Sequence, residues 1–133
     1  MKKIVLVSLV VLLSIGQLFA NPVDVNAAKS IGEKFVRNNM QSLRGFQSSK
    51  HVLTLKDDNG NACLYVFNIE DKGYYVVSAD DRAKPILAYS DEGCIDVNNI
   101  LPAMAYYLEH YKNAISYVQA RVPEHALHTQ CQV

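Results

Sequence analysis

The 133 residues are half apolar and carry 13 Lys and Arg against 13 Asp and Glu, for a formal charge of zero. That length fits one domain, and the apolar share excludes a disordered chain. The absence of a basic stripe excludes nucleic acid as a partner.

Lys2-Lys3, the apolar run Ile4–Leu13, the break at Gly16-Gln17 and the small residue Ala20 have the layout of a secretory signal peptide. Residues 1–20 are assigned to it, with cleavage after Ala20 and with Ala27 or Ala28 as weaker sites. The run falls short of the about 20 apolar residues a membrane helix needs, and no Cys follows it to take a lipid. The expectation is a secreted or periplasmic protein with no membrane association after signal removal. Without Lys2 and Lys3 the 13 basic residues become 11 against 13 acidic, a formal charge of −2.

After a short lead-in, Asp24 is suited to cap a helix over Val25–Asn39. Ala28, Ile31, Phe35 and Val36 recur at helical spacing, with Gly32 beside them. Met40–Lys50 reads as a polar connection. His51–Lys56 is a candidate edge strand, and Asp57–Asn61 with Asn59-Gly60 is a hairpin turn. Then come three runs rich in Val, Ile, Tyr and Phe: Leu64–Ile69, Tyr74–Ser78 and Ile86–Tyr89. The first two are joined by Glu70-Asp71-Lys72-Gly73, where Gly73 is expected to supply a positive φ. Alternation along the first run puts Tyr65, Phe67 and Ile69 on one face and Leu64, Val66 and Asn68 on the other. Both faces are apolar, so both should be covered.

Cys94–Val97 could add a short strand. Pro102 suits a first helical turn, and Met104, Leu108, Tyr111, Ile115 and Val118 then mark an amphipathic helix. Pro123 is expected to end it, which leaves residues 21–123 as the domain and 124–133 as a polar tail. The fold class is α+β: an antiparallel sheet of about four strands packed by an N-terminal and a C-terminal helix.

Leu64–Val97 also carries a resemblance. Asn68-Ile69, Gly73, Ser78-Ala79-Asp80-Asp81-Arg82, Pro85-Ile86-Leu87, Tyr89-Ser90 and Gly93–Asp96 come one after another in the order seen in a known family. In this the chain resembles the propeptide core of streptopain-type cysteine proteases and the free-standing Spi-type inhibitors related to it. The resemblance implies a non-enzymatic, exported inhibitor whose partner is a streptopain-like cysteine protease and which acts in trans by occluding the active-site cleft. It implies no cofactor, and it places the inhibitory contact at Asn98, Asn99, Ile100, Leu101, Pro102 and Ala103. A detached propeptide acting as a folding helper, a non-inhibitory interaction module and a truncated protease copy are the rival readings.

Residues that could carry chemistry of their own are few. A nucleophile needs a base beside it, and no local pattern around Cys63, Cys94 or Cys131 supplies one. There is no Gly-x-Ser-x-Gly elbow. The catalytic domain that comes after the propeptide in streptopain-like proteases is not expected to accompany this chain. Asp80-Asp81 and Glu70-Asp71 read as solvated turns. His125, His128 and Cys131 have a zinc-like spacing but lack a fourth ligand, so no metal is expected. Cys63 and Cys94 are read as small buried hydrophobes rather than a bridge. Some of the Tyr are expected to stay exposed, as at a binding surface.

Overall fold

The computed structural model describes residues 22–130, and side chains as far as residue 120. The first element is α1, Val25–Asn39, with Asp24 as its N-cap; the Asp24 carboxylate accepts from the Ala27 N–H at 2.7 Å. A 3-10 turn comes next at Gln41–Leu43. Four strands succeed it: β1 (Ser49–Lys56), β2 (Ala62–Ile69), β3 (Gly73–Ser78) and β4 (Ile86–Ser90). The last element is α2, Pro102–Gln130. The strands form one antiparallel meander in the order β1-β2-β3-β4.

The two helices cover opposite faces of this sheet. Ala28 and Val36 of α1 pack with Tyr65, Phe67, Ile69, Tyr75 and Val77. Leu108 of α2 packs with Leu64, Val66, Val76 and Ile95. The alternation expected along β2 therefore holds, because successive side chains of a strand point to opposite sides. Five consecutive residues of β2, Cys63–Phe67, are buried. That is the mark of a central strand covered on both faces.

Register shifts adjust both outer strands, and two of them reverse a facing. The β1–β2 register shifts between His51 and Leu53, so His51 pairs with Phe67 but Leu53 pairs with Val66. An inserted residue reverses the facing of the strand beyond it. Leu53 and Leu55 are thereby turned towards α2. In β4 the shift lies opposite Val76 and Val77, where Ile86 joins the α1 side while Leu87 and Ala88 join the α2 side.

Several local expectations need correction. Met40–Lys50 is more than a polar connection: Met40, Leu43 and Phe46 are buried and extend the core beneath α1. At the β2–β3 turn, Glu70 takes the positive φ of 50°. Gly73 is required for space instead, because a Cβ there would collide with the Ser90 carbonyl oxygen. Cys94–Val97 forms no strand. β2 and β3 already have a neighbour on each edge, and the free edge of β4 is not where this segment runs. Pro123 does not end α2, whose backbone stays helical to Gln130. A proline removes one amide donor and kinks a helix, a local loss that helix formers on both sides can absorb.

Candidate functional site

The segment expected to touch a protease is positioned by the chain's exit from β4. Gly93 has φ 76°, a conformation that favours glycine, and so turns the backbone onto the α2 side of the sheet. Ser90 stabilises the same turn: its Oγ donates to the Glu92 carbonyl at 2.9 Å and accepts from the Glu92 N–H at 3.1 Å. Ile95 then plugs the α2-side core and is 9% exposed. The Asn68 amide holds it there. Asn68 Nδ2 donates to the Ile95 carbonyl at 2.9 Å, and the Ile95 N–H donates to Asn68 Oδ1 at 2.9 Å.

A turn comes next. Asp96 Oδ1 accepts from the Asn98 N–H at 3.0 Å, and the Asp96 carbonyl accepts from the Asn99 N–H at 3.0 Å. This is the side-chain-supported turn that Asp favours. Ile100 comes back to the core cluster of Leu64 and Val66 and is half-buried. Leu101 points away and is 70% exposed. Its carbonyl accepts the first helical bond, from the Ala105 N–H at 2.9 Å, and Pro102 opens the helix without losing a needed donor.

The six expected contact residues thus lie contiguously at the N-terminal end of α2. Asn98, Asn99, Leu101, Pro102 and Ala103 are exposed, and Ile100 serves the core. A cleft of about 270 Å³ runs beside them, lined by Tyr74, Cys94, Ile95, Asn99, Leu101 and Met104 among others. Tyr106 and Tyr107 lie a little further along α2, 69% and 57% exposed, with ring centroids 5.8 Å apart. They sit off the Met104–Leu108–Tyr111 stripe, and that spacing alone could have picked them out. The Asn68 anchor had no such signal, because it joins residues 27 positions apart.

The other candidates are placed elsewhere. Cys63 is buried, with its sulfur 3.6 Å from the Asn61 carbonyl and 3.6 Å from Gln119 Oε1; burial pushes its thiol up. Cys94 is exposed rather than buried, its sulfur 3.4 Å from the Glu70 carbonyl. Among the described residues neither thiol has a disulfide partner. Asp80 is not a solvated turn residue. It is 5% exposed and gripped by Arg82, whose Nε and Nη2 donate to its two oxygens at 2.8 and 2.5 Å. Those bonds hold its carboxyl below the usual range. Glu70 is also engaged, accepting from the Gln47 N–H at 2.8 Å. Among the described residues no three His, Cys, Asp or Glu converge as a metal site. The side chains of His125 and His128, and all of Cys131, lie outside them. So does the segment assigned as a signal peptide.

A sequence profile described as "Spi protease inhibitor" matches residues 20–115, which takes in both helices' packed faces, the whole sheet and the exposed segment before α2. The chain belongs to the Spi protease inhibitor family. Curated relatives agree with this. A streptopain of Streptococcus pyogenes is 32% identical over 112 residues, covering 73% of this chain and 28% of its own. The streptopain of S. pyogenes serotype M1 is 32% identical over 127 residues, covering 84% of this chain and 32% of its own. The chain thus spans about a third of the length of these streptopains. No solved structure matches it.

Proposed function

We propose that this chain is an exported inhibitor of a streptopain-like cysteine protease, without catalytic activity of its own, which acts in trans by occluding the active-site cleft. Asn98–Ala103 is the segment that enters the cleft. The observation that carries this reading is Leu101, an apolar side chain 70% exposed on a backbone fixed at both ends. Removing an exposed apolar side chain from water on docking is favourable, and a preformed segment loses less entropy on binding than a mobile one.

The division of labour within the segment comes from the directions of its side chains. Ile100 anchors inward, Leu101 is offered to the protease, and the exposed amides of Asn98 and Asn99 can hydrogen-bond to groups lining a cleft. Pro102 starts the helix and keeps the exit stiff. Tyr106 and Tyr107 lie where they would reach the rim, and Tyr is favoured at interfaces for its large, rigid, amphipathic surface. No helix among the described residues is long and apolar enough to cross a membrane, which is compatible with a secreted or periplasmic site of action.

Residual activity of a streptopain-like cysteine protease mixed with the purified chain tests this directly. Stoichiometric loss of activity is expected. Leu101→Ala should weaken inhibition by about tenfold, or about 1.4 kcal/mol, with an unchanged melting temperature, since an exposed side chain contributes little to folding. Equal inhibition by Leu101→Ala would place the contact elsewhere.

A folding helper is the second reading, favoured by the match to only 28–32% of streptopain's length. Refolding the protease with and without this chain separates the two. A helper raises the yield of active enzyme, whereas an inhibitor lowers measured activity and leaves the yield unchanged once it is removed.

A further inference from the structure

We infer that Asn68 is the positioning residue of the protease-contact segment, its side-chain amide fixing the backbone of Ile95 and so setting where Asn98–Ala103 stands above the sheet. This rests on the reading of that segment as the inhibitory one. Asn68 is the exception in its strand. Each of the other residues from Cys63 to Ile69 is buried and apolar, Tyr65 adding only a hydroxyl that donates to the Val23 carbonyl at 2.8 Å. A polar amide in such a row must be given partners, or its desolvation destabilises the fold.

The backbone of Asn68 is already engaged by the sheet, where it stands opposite Lys50 on β1 and Tyr74 on β3. Its side chain then does what a neighbouring strand would do. It donates to one residue's carbonyl and accepts from the same residue's N–H, both at 2.9 Å. A strand can pair only at a sheet edge; a side-chain amide can hold a backbone over the middle of a sheet face. That explains how Ile95 is held against the sheet face without belonging to the sheet.

The consequence falls on the loop beyond. It has two tethers to the core, Ile95 through Asn68 and Ile100 through apolar contact. Between them the Asp96 turn sets the path of Asn98 and Asn99. With the Asn68 tether cut, the Ile95 backbone loses both hydrogen bonds, and the loop is held only by the apolar contacts of Ile95 and Ile100 and by the start of α2. Binding would then have to order what is now preformed.

Three measurements on the full chain test the inference: inhibition of a streptopain-like protease, thermal melting, and amide hydrogen exchange. Asn68→Ala should raise the inhibition constant at least about tenfold. It should speed exchange at Ile95, Asn98 and Asn99 while the β2–β3 amides stay protected. Asn68→Asp keeps the acceptor for the Ile95 N–H but sets a carboxylate oxygen against the Ile95 carbonyl, so it should not restore wild-type inhibition. In a Leu101→Ala background Asn68→Ala should cost less than it does alone, because both act through the same segment; a residue that merely supports the fold would give additive effects. Should Asn68→Ala fail to fold, Asn68→Ser is measured in the same way. Wild-type inhibition by the Asn68 variant alongside weakened inhibition by Leu101→Ala, or strict additivity of the two, overturns the inference and leaves the inhibitor reading standing. Unchanged inhibition in both variants overturns the segment reading and this inference with it.

Discussion

Gly32 stands where α1 crosses the ring of Tyr75, and a Cβ at that position would run into ring atoms Cδ2, Cε2 and Cζ. The ring cannot retreat. It is fully buried and stacked on Phe67 at 5.0 Å, and its hydroxyl is 2.6 Å from Ser49 Oγ. The same environment pushes the Tyr75 hydroxyl up to about 12, chiefly through burial. Gly32→Ala therefore sets a gain in helix propensity of about 1 kcal/mol against overpacking of about 1–3 kcal/mol. Net destabilisation is expected, seen as a lower melting temperature. Asp80 makes a second prediction at this scale. Arg82 depresses its folded pKa, so its contribution is fully present above the unfolded value of about 3.9. It is lost as pH falls through the folded value. Asp80→Asn should be less stable than wild type by roughly 1–3 kcal/mol near neutrality, and denaturant titrations should show that gap closing below about pH 4.

β2 is the element on which both cores depend. Phe67 is fully buried on the α1 side, between His51 at 5.5 Å and Tyr75 at 5.0 Å between ring centroids. Truncating a buried Phe typically costs about 3–5 kcal/mol, out of a total of about 5–15 kcal/mol for a small domain. Phe67→Ala should lower the melting temperature sharply, and an unchanged value would mean that the facing of β2 is wrong. The contrast with Leu101→Ala is informative: one variant should lose stability and keep whatever inhibition its folded fraction supports, the other the reverse. α1 is fastened to the strands by more than apolar contact. Glu33 accepts from the Ser49 N–H and Oγ at 3.1 and 2.9 Å. Burial opposes ionisation of this carboxyl, but the Ser49 bonds, helped by Lys29 and Arg37, outweigh it and hold the group below its ordinary value.

For the molecule as a whole, the sheet with a helix on each face keeps the two described cysteines apart. Cys63 is the second residue of β2, whereas Cys94 lies on the Glu70 carbonyl just past the other end of that strand. At about 3.3 Å per residue the separation is about 23 Å, far beyond the reach of a disulfide. Both thiols should therefore react with an alkylating agent in the unreduced protein. Cys94 should be modified first because it is exposed, and Cys63 only slowly because burial disfavours its thiolate. Mass spectrometry over a time course reads both rates, and a peptide pair bridged between Cys63 and Cys94 would contradict the fold.

Much of what depends on near neighbours in the chain was legible in the sequence. The Asp24 cap, the extent of α1, the Asn59-Gly60 turn, the facing of β2 and the apolar stripe of α2 all come from spacing and from local hydrogen bonds. Interactions between distant positions were not legible. The bulges at His51–Leu53 and opposite Val76–Val77 depend on what the neighbouring strand presents. The space that Gly73 leaves depends on the Ser90 carbonyl, 17 residues on. Asp80 and Asp81 look alike as letters, yet only Asp80 is turned inward, onto Arg82. In the candidate site, sequence indicated the stretch Asn98–Ala103 but could not say which of two adjacent apolar residues faces out. That was settled by the Asn68 anchor and the packing of Ile100, which fix the backbone's rotation before α2 begins and so leave Leu101 in solvent.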